Sequence, residues 1–330
     1  MTERFRVGVS RDLRGDDGEL VHDLSLDLLA AEPRVVWEFL PRRERVLSPD
    51  TIAGYDALMV WEPGGVTAHS LEGADRLALI ARFGMGLEAI DLQACADRGV
   101  AVTTSPFAVR EVIPAGAMSF VLALAHRLTE KDRIVRDARW DDRFALVGRG
   151  TSGRTLGVIG LGHVGRGIVR MAEPFGMRRI ACDPYVDPSS CPPGVELIDL
   201  ESLLGRSDFV CVTCPLTPET HHLLDRERIA LMRPGACLIN VARGPIVDTH
   251  ALADALRDGQ LAGAALDVFE HEPVEPEHPL LALDGVILSP HAIGYTDAAF
   301  RGLGADACAS VLAVARGELP NHVANAPLTM

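Results

Sequence analysis

Three segments in the second half of this sequence each end an apolar run with a side chain able to do chemistry. Leu238-Ile-Asn-Val-Ala-Arg243 delivers an arginine, Ala264-Ala-Leu-Asp267-Val-Phe-Glu270-His-Glu272-Pro delivers carboxylates, and Leu288-Ser-Pro-His291 delivers an imidazole. A guanidinium fork suits the paired oxygens of a carboxylate. An imidazole exchanges protons near neutral pH, and a neighbouring carboxylate alters that exchange. Taken singly, each residue has a plainer reading. His291 after Ser-Pro is a loop residue, Arg243 after a strand is a surface ion pair, and Glu272 before Pro273 is a solvated turn. Their positions give them weight together, because ligands of open α/β sheets bind beyond the carboxyl ends of the strands.

A fourth segment offers a place for a nucleotide. Thr155-Leu-Gly-Val-Ile-Gly160-Leu-Gly162-His-Val-Gly165 sets G-x-G-x-x-G between a strand pattern and a helical one. In that context Gly160 makes the tight turn, Gly162 lets the backbone approach a ligand, and Gly165 lets the helix pack on the strand. A pyrophosphate would sit on the amides of His163 and Val164 at the helix N-terminus. The glycine pattern alone is weak in a chain with 31 glycines. Its context is stronger, since the next strand, Arg179-Ile-Ala-Cys-Asp183, ends in an acid about 20 residues on, where a carboxylate meets the adenosine ribose. Asp183 would repel a 2′-phosphate and so favours NAD over NADP, although Arg178 and Arg179 lie close enough in sequence to hold such a phosphate. The competing reading is an α/β domain with a Gly-rich turn and no dinucleotide.

The elements that must position these residues follow from hydrophobic patterning. In the first half, Phe5–Ser10, Arg34–Phe39, Ala57–Val60, Leu77–Arg82 and Val100–Thr103 read as strands, with helices over Leu20–Ala31 and Asp91–Arg98. Val112–Arg127 reads as a long apolar helix continued by a polar amphipathic run to Arg139, and Trp140–Arg154 as a loop. A second series of strands follows at Thr155–Ile159, Ile180–Asp183, Phe209–Val212, Ala236–Asn240, Gly263–Val268 and Val286–Leu288, and an Ala-rich helix covers Thr296–Arg316. Strands spaced by helices imply βαβ units and parallel sheets. One domain is expected at about 109–295, the other in two pieces, about 1–108 and the C-terminal helix.

Bulk properties narrow the function classes. With 330 residues the chain suits two cores rather than one. Hydrophobic residues at 48% and charged residues at 24% describe an ordinary globular protein rather than a disordered one. A net charge of −14 argues against a nucleic-acid partner and against docking on an anionic membrane, though not against a small anion held by local arginines. Lys131 is the only lysine, and it lies in a solvated charged run. The seven scattered cysteines, Cys211-Val-Thr-Cys214 included, read as reduced and buried rather than as a metal site, which points to a cytoplasmic protein. The N-terminus leads straight into a strand, so no signal peptide is expected. The apolar run Met118–Ala125 is too short for a membrane span.

Taken in order, these motifs resemble the D-isomer-specific 2-hydroxyacid dehydrogenases, a family that includes glyoxylate/hydroxypyruvate reductases and phosphoglycerate dehydrogenases. The likeness runs nearly the whole length: Arg82-Phe-Gly-Met-Gly86 through Asp91, the glycine fingerprint, Pro215-Leu-Thr-Pro-Glu-Thr220, and the three reactive segments. The resemblance implies an α/β protein of two Rossmann-like domains with parallel sheets and an active site in the interdomain cleft. Residues 1–108 plus 296–330 would form a flavodoxin-like substrate-binding domain, and 109–295 the NAD-binding domain. It implies hydride transfer between nicotinamide and a small D-2-hydroxy or 2-oxo acid. Arg243 would bind substrate, His291 would be the acid/base, and Glu272 would raise the imidazole pKa and fix its tautomer. NAD contacts would come from Gly160, Gly162, His163, Val164, Gly165, Asp183, Thr213, Pro215, Thr220, Val241 and Ala242, with Asp267 at the nicotinamide end. The amides of Met85 and Gly86 would grip the substrate carboxylate. A homodimer is implied, built on the helix after Ala115, with Trp140 reaching toward the partner's site. The competing reading keeps Trp140 on its own domain. Glu270 and His271 receive no catalytic role.

The chain departs from the family pattern in places. Ala115 stands where a Glu is usual, and Thr213 where a His is common. Trp61-Glu-Pro and Arg110-Glu111 are unusual and suggest a particular substrate. A β-hydroxyacid dehydrogenase would need a catalytic Lys downstream of the glycine fingerprint, and Lys131 precedes it. Formate dehydrogenases carry Gln where Glu272 stands. An NAD-sensing corepressor on the same fold keeps the same reactive residues, and turnover with NADH and a 2-oxo acid separates it from an enzyme.

Overall fold

The computed structural model describes residues 4–325 except 16, 62 and 63, so part of the Trp61-Glu-Pro signal lies outside the described residues. The chain divides into two compact units: unit 1 is Met1–Val109 with Tyr295–Met330, and unit 2 is Arg110–Gly294.

Unit 1 holds a five-stranded sheet of β1 (Phe5–Val9), β2 (Val35–Phe39), β3 (Ala57–Val60), β4 (Leu79–Arg82) and β5 (Ala101–Thr103). The order is β2-β1-β3-β4-β5 and all neighbours are parallel. Two short helices, α1 (Pro49–Ile52) and α2 (Leu92–Asp97), serve this sheet, and α3 (Phe107–Glu111) spans the boundary between the units. The expected helix over Leu20–Ala31 is a 3₁₀ turn at Leu26–Ala31 only. The Asp23 carboxylate accepts the Ser25 amide, and Ser25 sits at φ 52, so side-chain bonding and a left-handed residue replace the first helical turns.

Unit 2 begins with α4 (Ile113–His126) and α5 (Leu128–Arg136). The sequence pattern suggested one helix running on to Arg139, but Arg127 at φ 50 breaks it. A 3₁₀ turn at Trp140–Ala145 occupies part of the expected loop. The sheet comprises β6 (Thr155–Ile159), β7 (Arg178–Cys182), β8 (Val195–Leu197), β9 (Phe209–Val212), β10 (Cys237–Asn240), β11 (Gly263–Leu266) and β12 (Val286–Leu288), with α6 (His163–Ala172), α7 (Leu200–Arg206), α8 (Arg226–Ala230) and α9 (Thr249–Arg257) between strands. β8 was not expected, being only three residues long and half-buried.

The order β12-β11-β10-β9-β6-β7-β8 reverses direction between β6 and β9, the switch point where such sheets bind ligands. Alternate residues feed two cores. Val210, Val212, Leu238 and Leu266 pack on one face, and Leu156, Val158, Cys211 and Ile239 on the other. Burial on both faces explains why these strands read as continuous apolar runs. The last helix, α10 (Asp297–Ala315), returns to unit 1. By length and hydropathy it would suit a membrane span, a run the sequence reading passed over, yet half of it is buried in the protein and it packs against β4.

Candidate active site

One register row sets the geometry of unit 2. Ile159, Val212, Asn240, Leu266 and Leu288 lie side by side across β6, β9, β10, β11 and β12. The residues just past that row are Gly160, Thr213, Val241, Asp267 and Ser289, so every reactive segment emerges on one edge. Neighbouring strands are about 4.8 Å apart, which puts the segments bearing Arg243, Asp267 and His291 on three adjacent strands.

The glycine loop opens this edge. Gly160 turns at φ 94, and a Cβ there would strike the backbone of Thr213 and Cys214. A Cβ on Gly165 would collide with the Gly160 carbonyl oxygen, so only glycine lets α6 approach β6 this closely. A Cβ on Gly162 would meet no protein atom within 4 Å, leaving open space over the N-terminus of the ten-residue α6, where His163 and Val164 lie in the first turn. Backbone amides at a helix start beneath open space fit a dinucleotide pyrophosphate. Thr213, the departure from the family pattern, donates its hydroxyl to the Gly160 carbonyl at 2.6 Å and so fastens the loop. Burial pushes the neighbouring thiols up, Cys211 to about 12 and Cys214 to about 11.

Asp183 follows β7. Its carboxylate accepts the Leu161 amide at 2.8 Å and the Tyr185 amide at 3.0 Å, tying the acid to the glycine loop. The concern raised by Arg178 and Arg179 is corrected by their place at the amino end of β7. Arg179 is roughly 13 Å of strand away from Asp183, and it pairs with Glu173. Beyond β9, Thr220 donates to the Pro215 carbonyl at 2.7 Å and accepts the Thr217 amide at 2.7 Å, closing the Pro215–Thr220 loop on itself.

Arg243 is positioned by a residue the sequence reading missed. Asn240, fully buried at the end of β10, accepts the Ala242 amide at 3.0 Å and donates to the Arg243 carbonyl at 2.9 Å. The clue was an amide side chain inside the apolar run Cys237-Leu-Ile-Asn240. The Arg243 guanidinium donates to the Ala242 carbonyl at 2.8 Å. Asp267 is buried, and its Oδ1 accepts the Ser289 hydroxyl at 2.6 Å and the Ala292 and Ile293 amides at 2.8 and 2.9 Å. Burial pushes its pKa up, and those hydrogen bonds offset only part of that.

Glu272 and His291 form a carboxylate–imidazole pair on this edge. Glu272 Oε2 lies 2.8 Å from His291 Nδ1, and Oε1 accepts the Phe269 amide at 2.9 Å. Burial raises the Glu272 pKa, but the His291 bond, the Phe269 amide and the nearby charges of His291 and Arg243 outweigh it and hold the carboxyl below its ordinary value. His291 sits at φ 54, a left-handed conformation that costs a non-glycine residue energy and is often met at functional sites.

Other expected residues lie elsewhere. Met85 and Gly86 belong to unit 1, in the loop after β4, where the buried Arg82 guanidinium donates to the Gly86 and Phe83 carbonyls at 3.1 and 2.6 Å. Ala115 is exposed in the first turn of α4. Trp140 is 62% exposed, with Arg143 over its ring. Glu270 pairs with His222 at 3.0 Å.

The family of D-isomer specific 2-hydroxyacid dehydrogenases, through its NAD binding domain, matches residues 118–292. Among curated relatives, a glyoxylate reductase of Thermofilum pendens is 36% identical over 290 residues, covering 86% of this chain and 85% of that protein. A D-3-phosphoglycerate dehydrogenase of Methanocaldococcus jannaschii is 39% identical over 280 residues, covering 84% of this chain but only 53% of that longer protein. The crystal structure of the TT0316 protein from Thermus thermophilus superposes with a TM-score of 0.85 at 34% identity, covering 96% of this chain and 99% of that one. With its glycine loop, its switch-point sheet and its Glu272–His291 pair, the chain belongs to the D-isomer specific 2-hydroxyacid dehydrogenase family and is an NAD-dependent oxidoreductase of that family.

Proposed function

We propose that this chain interconverts a small 2-oxo acid and the D-2-hydroxy acid, with Arg243, Glu272 and His291 as the catalytic set. The observation that carries the reading is the 2.8 Å pair between Glu272 and His291, raised on the same sheet edge as Arg243 and the glycine loop. Bound as NADH, the cofactor supplies the hydride to the substrate's C2. With Nδ1 committed to Glu272, His291 passes a proton to the carbonyl oxygen through Nε2. The Arg243 fork takes oxygens of the carboxylate and carbonyl, and orients the carbonyl while its oxygen gains charge. The Met85 and Gly86 amides grip the substrate carboxylate. Asp183 accepts the ribose hydroxyls, and Asp267 serves the nicotinamide end.

The glyoxylate reductase likeness makes glyoxylate the first substrate to try, with hydroxypyruvate and pyruvate beside it. Turnover is followed by loss of NADH absorbance. His291→Ala should reduce kcat by roughly 10²- to 10⁴-fold while NADH still binds. A variant that keeps more than half of wild-type turnover would remove His291 from the reaction.

We also propose a homodimer. Along α5, the 3₁₀ turn after it and the loop that follows, Leu128, Val135, Trp140, Phe144 and Val147 are 56–75% exposed, a run of apolar groups suited to a second copy of the chain.

A further inference from the structure

Glu270 stands two residues before Glu272 and has no part in the proton pathway, yet three chain segments meet on it. Its Oε2 lies 3.0 Å from His222 Nε2, and its Oε1 accepts the Thr249 amide, in the first turn of α9, at 2.9 Å. His222 stands two residues after the Pro215–Thr220 loop and is itself held at φ 48, with its amide donated to the Pro245 carbonyl at 2.8 Å. The next residues stitch the same two segments further. The Leu224 amide reaches the Ile246 carbonyl, and the Asp248 amide reaches the Leu224 carbonyl, each at 3.0 Å.

The third segment is the one that carries Glu272. Gly244, directly after Arg243, runs so close to the Phe269–Glu270 peptide that any Cβ there would overlap it. The Phe269 amide then donates to Glu272. A displacement at Glu270 therefore has two short routes into the site: back through Gly244 to Arg243, and forward through Phe269 to Glu272 and His291. In this segment Glu270 and Glu272 face different histidines, so two carboxylate–imidazole pairs lie two residues apart on one stretch of chain.

We propose that Glu270 and His222 are positioning residues for the reduction. Their pair locks the Pro215–His222 loop, the Arg243 segment and the Glu272 segment in one register. This inference rests on the proposed roles of Arg243, Glu272 and His291, which His291→Ala tests separately. If His291→Ala retains activity, the reading of the reaction fails whatever Glu270 does.

The experiment compares Glu270→Ala, Glu270→Gln, His222→Gln and the double variant Glu270→Ala/His222→Gln, each assayed with glyoxylate and normalised to NADH-binding sites by fluorescence titration. A misaligned site costs on the order of 10- to 100-fold. Glu270→Ala should therefore lower kcat and raise KM for the 2-oxo acid, with kcat/KM down by that amount. Glu270→Gln, whose amide accepts from Thr249 and donates to a neutral His222, should recover most of the loss. The double variant should be no worse than the more damaging single one, as expected for one shared interaction. If Glu270→Ala does not fold, His222→Gln still reads the pair and should show the same fall in kcat/KM. Wild-type kcat and KM per NADH-binding site in Glu270→Ala, or in His222→Gln where Glu270→Ala does not fold, would overturn the proposal. So would multiplying defects in the double variant.

Discussion

The backbone carbonyl of Asp267 accepts the His291 amide at 2.8 Å, while the Asp267 carboxylate accepts the amides of Ala292 and Ile293 at 2.8 and 2.9 Å. One residue at the end of β11 thus holds three consecutive amides of the loop after β12. Those bonds supply the restraint that keeps His291 at φ 54 with Nδ1 on Glu272. The proton-donor role proposed for His291 requires it to be held close to its target, and here three loop amides bonded to Asp267, just past the neighbouring strand, do the holding.

Asp267 can be tested by removing its charge and then its whole side-chain function. Burial raises its folded pKa above the unfolded value, so its ionisation costs stability. The cost is absent below the unfolded pKa, grows as pH rises toward the folded pKa, and is complete above it. Asp267→Asn keeps an acceptor for Ser289, Ala292 and Ile293 without the charge. Its Tm should equal or exceed that of wild type at about pH 8, with the advantage shrinking toward about pH 4. Asp267→Ala should lower Tm and activity together. If calorimetry shows the Asn variant falling as far as the Ala variant, the charge is not what burial penalises.

Glu272 has the opposite sign. Its folded pKa is depressed, so it contributes stability that is present above the unfolded carboxylate value and is lost as pH falls through the folded one. Glu272→Gln should be less stable than wild type at neutral pH, and the gap should close in acid. The gap will be modest, since the side chains of the pair are 36% and 40% exposed and solvent screens them. A Tm difference that stays constant between about pH 7 and about pH 3 would mean that ionisation of Glu272 contributes nothing to folding.

Arg243 should tolerate no substitute cation. An ammonium cannot reproduce a two-pronged grip on adjacent oxygens, so Arg243→Lys should raise KM for the 2-oxo acid nearly as much as Arg243→Ala. Asn240→Ala should mimic part of this defect, because it strands the half-buried Ala242 amide and releases the Arg243 carbonyl. Steady-state kinetics decide both. A Lys variant with wild-type KM would remove the bidentate role.

Much of this site was legible because each reactive residue follows an apolar strand, and strand ends in a parallel sheet share an edge. Phe209–Val212 and Val286–Leu288 were legible as strands to the residue for the same reason: burial on both faces makes a parallel strand one unbroken apolar run. What stayed hidden depended on single-residue backbone states. Nothing in the pattern around Arg127 or Ser25 marks a left-handed residue, yet each ends or prevents a helix. Asn240 and Ser289 were hidden for another reason. Their work is to orient Arg243 and to engage Asp267, and such work shows only once the neighbouring strands are in register.

Asp183 has one duty that the structure shows and a second that we propose, and two substitutions separate them. Its Oδ2 accepts the Leu161 amide at 2.8 Å, which shapes the glycine loop, and the proposed second duty is to take the ribose hydroxyls and repel a 2′-phosphate. Asp183→Asn keeps an acceptor for Leu161 and loses the charge, whereas Asp183→Ala loses both. Hydrogen bonds to a charged group contribute about 1.5–3 kcal/mol, and each 1.4 kcal/mol is tenfold in affinity. The NADH-to-NADPH ratio of kcat/KM should therefore fall by roughly 10- to 100-fold in both variants. KM for NADH should rise further in Asp183→Ala, because only there is the loop itself released. The arginines at the amino end of β7 are too far along the strand to take over the selection. If the ratio is unchanged in both variants, the acid serves the loop alone and the preference for NAD is set elsewhere.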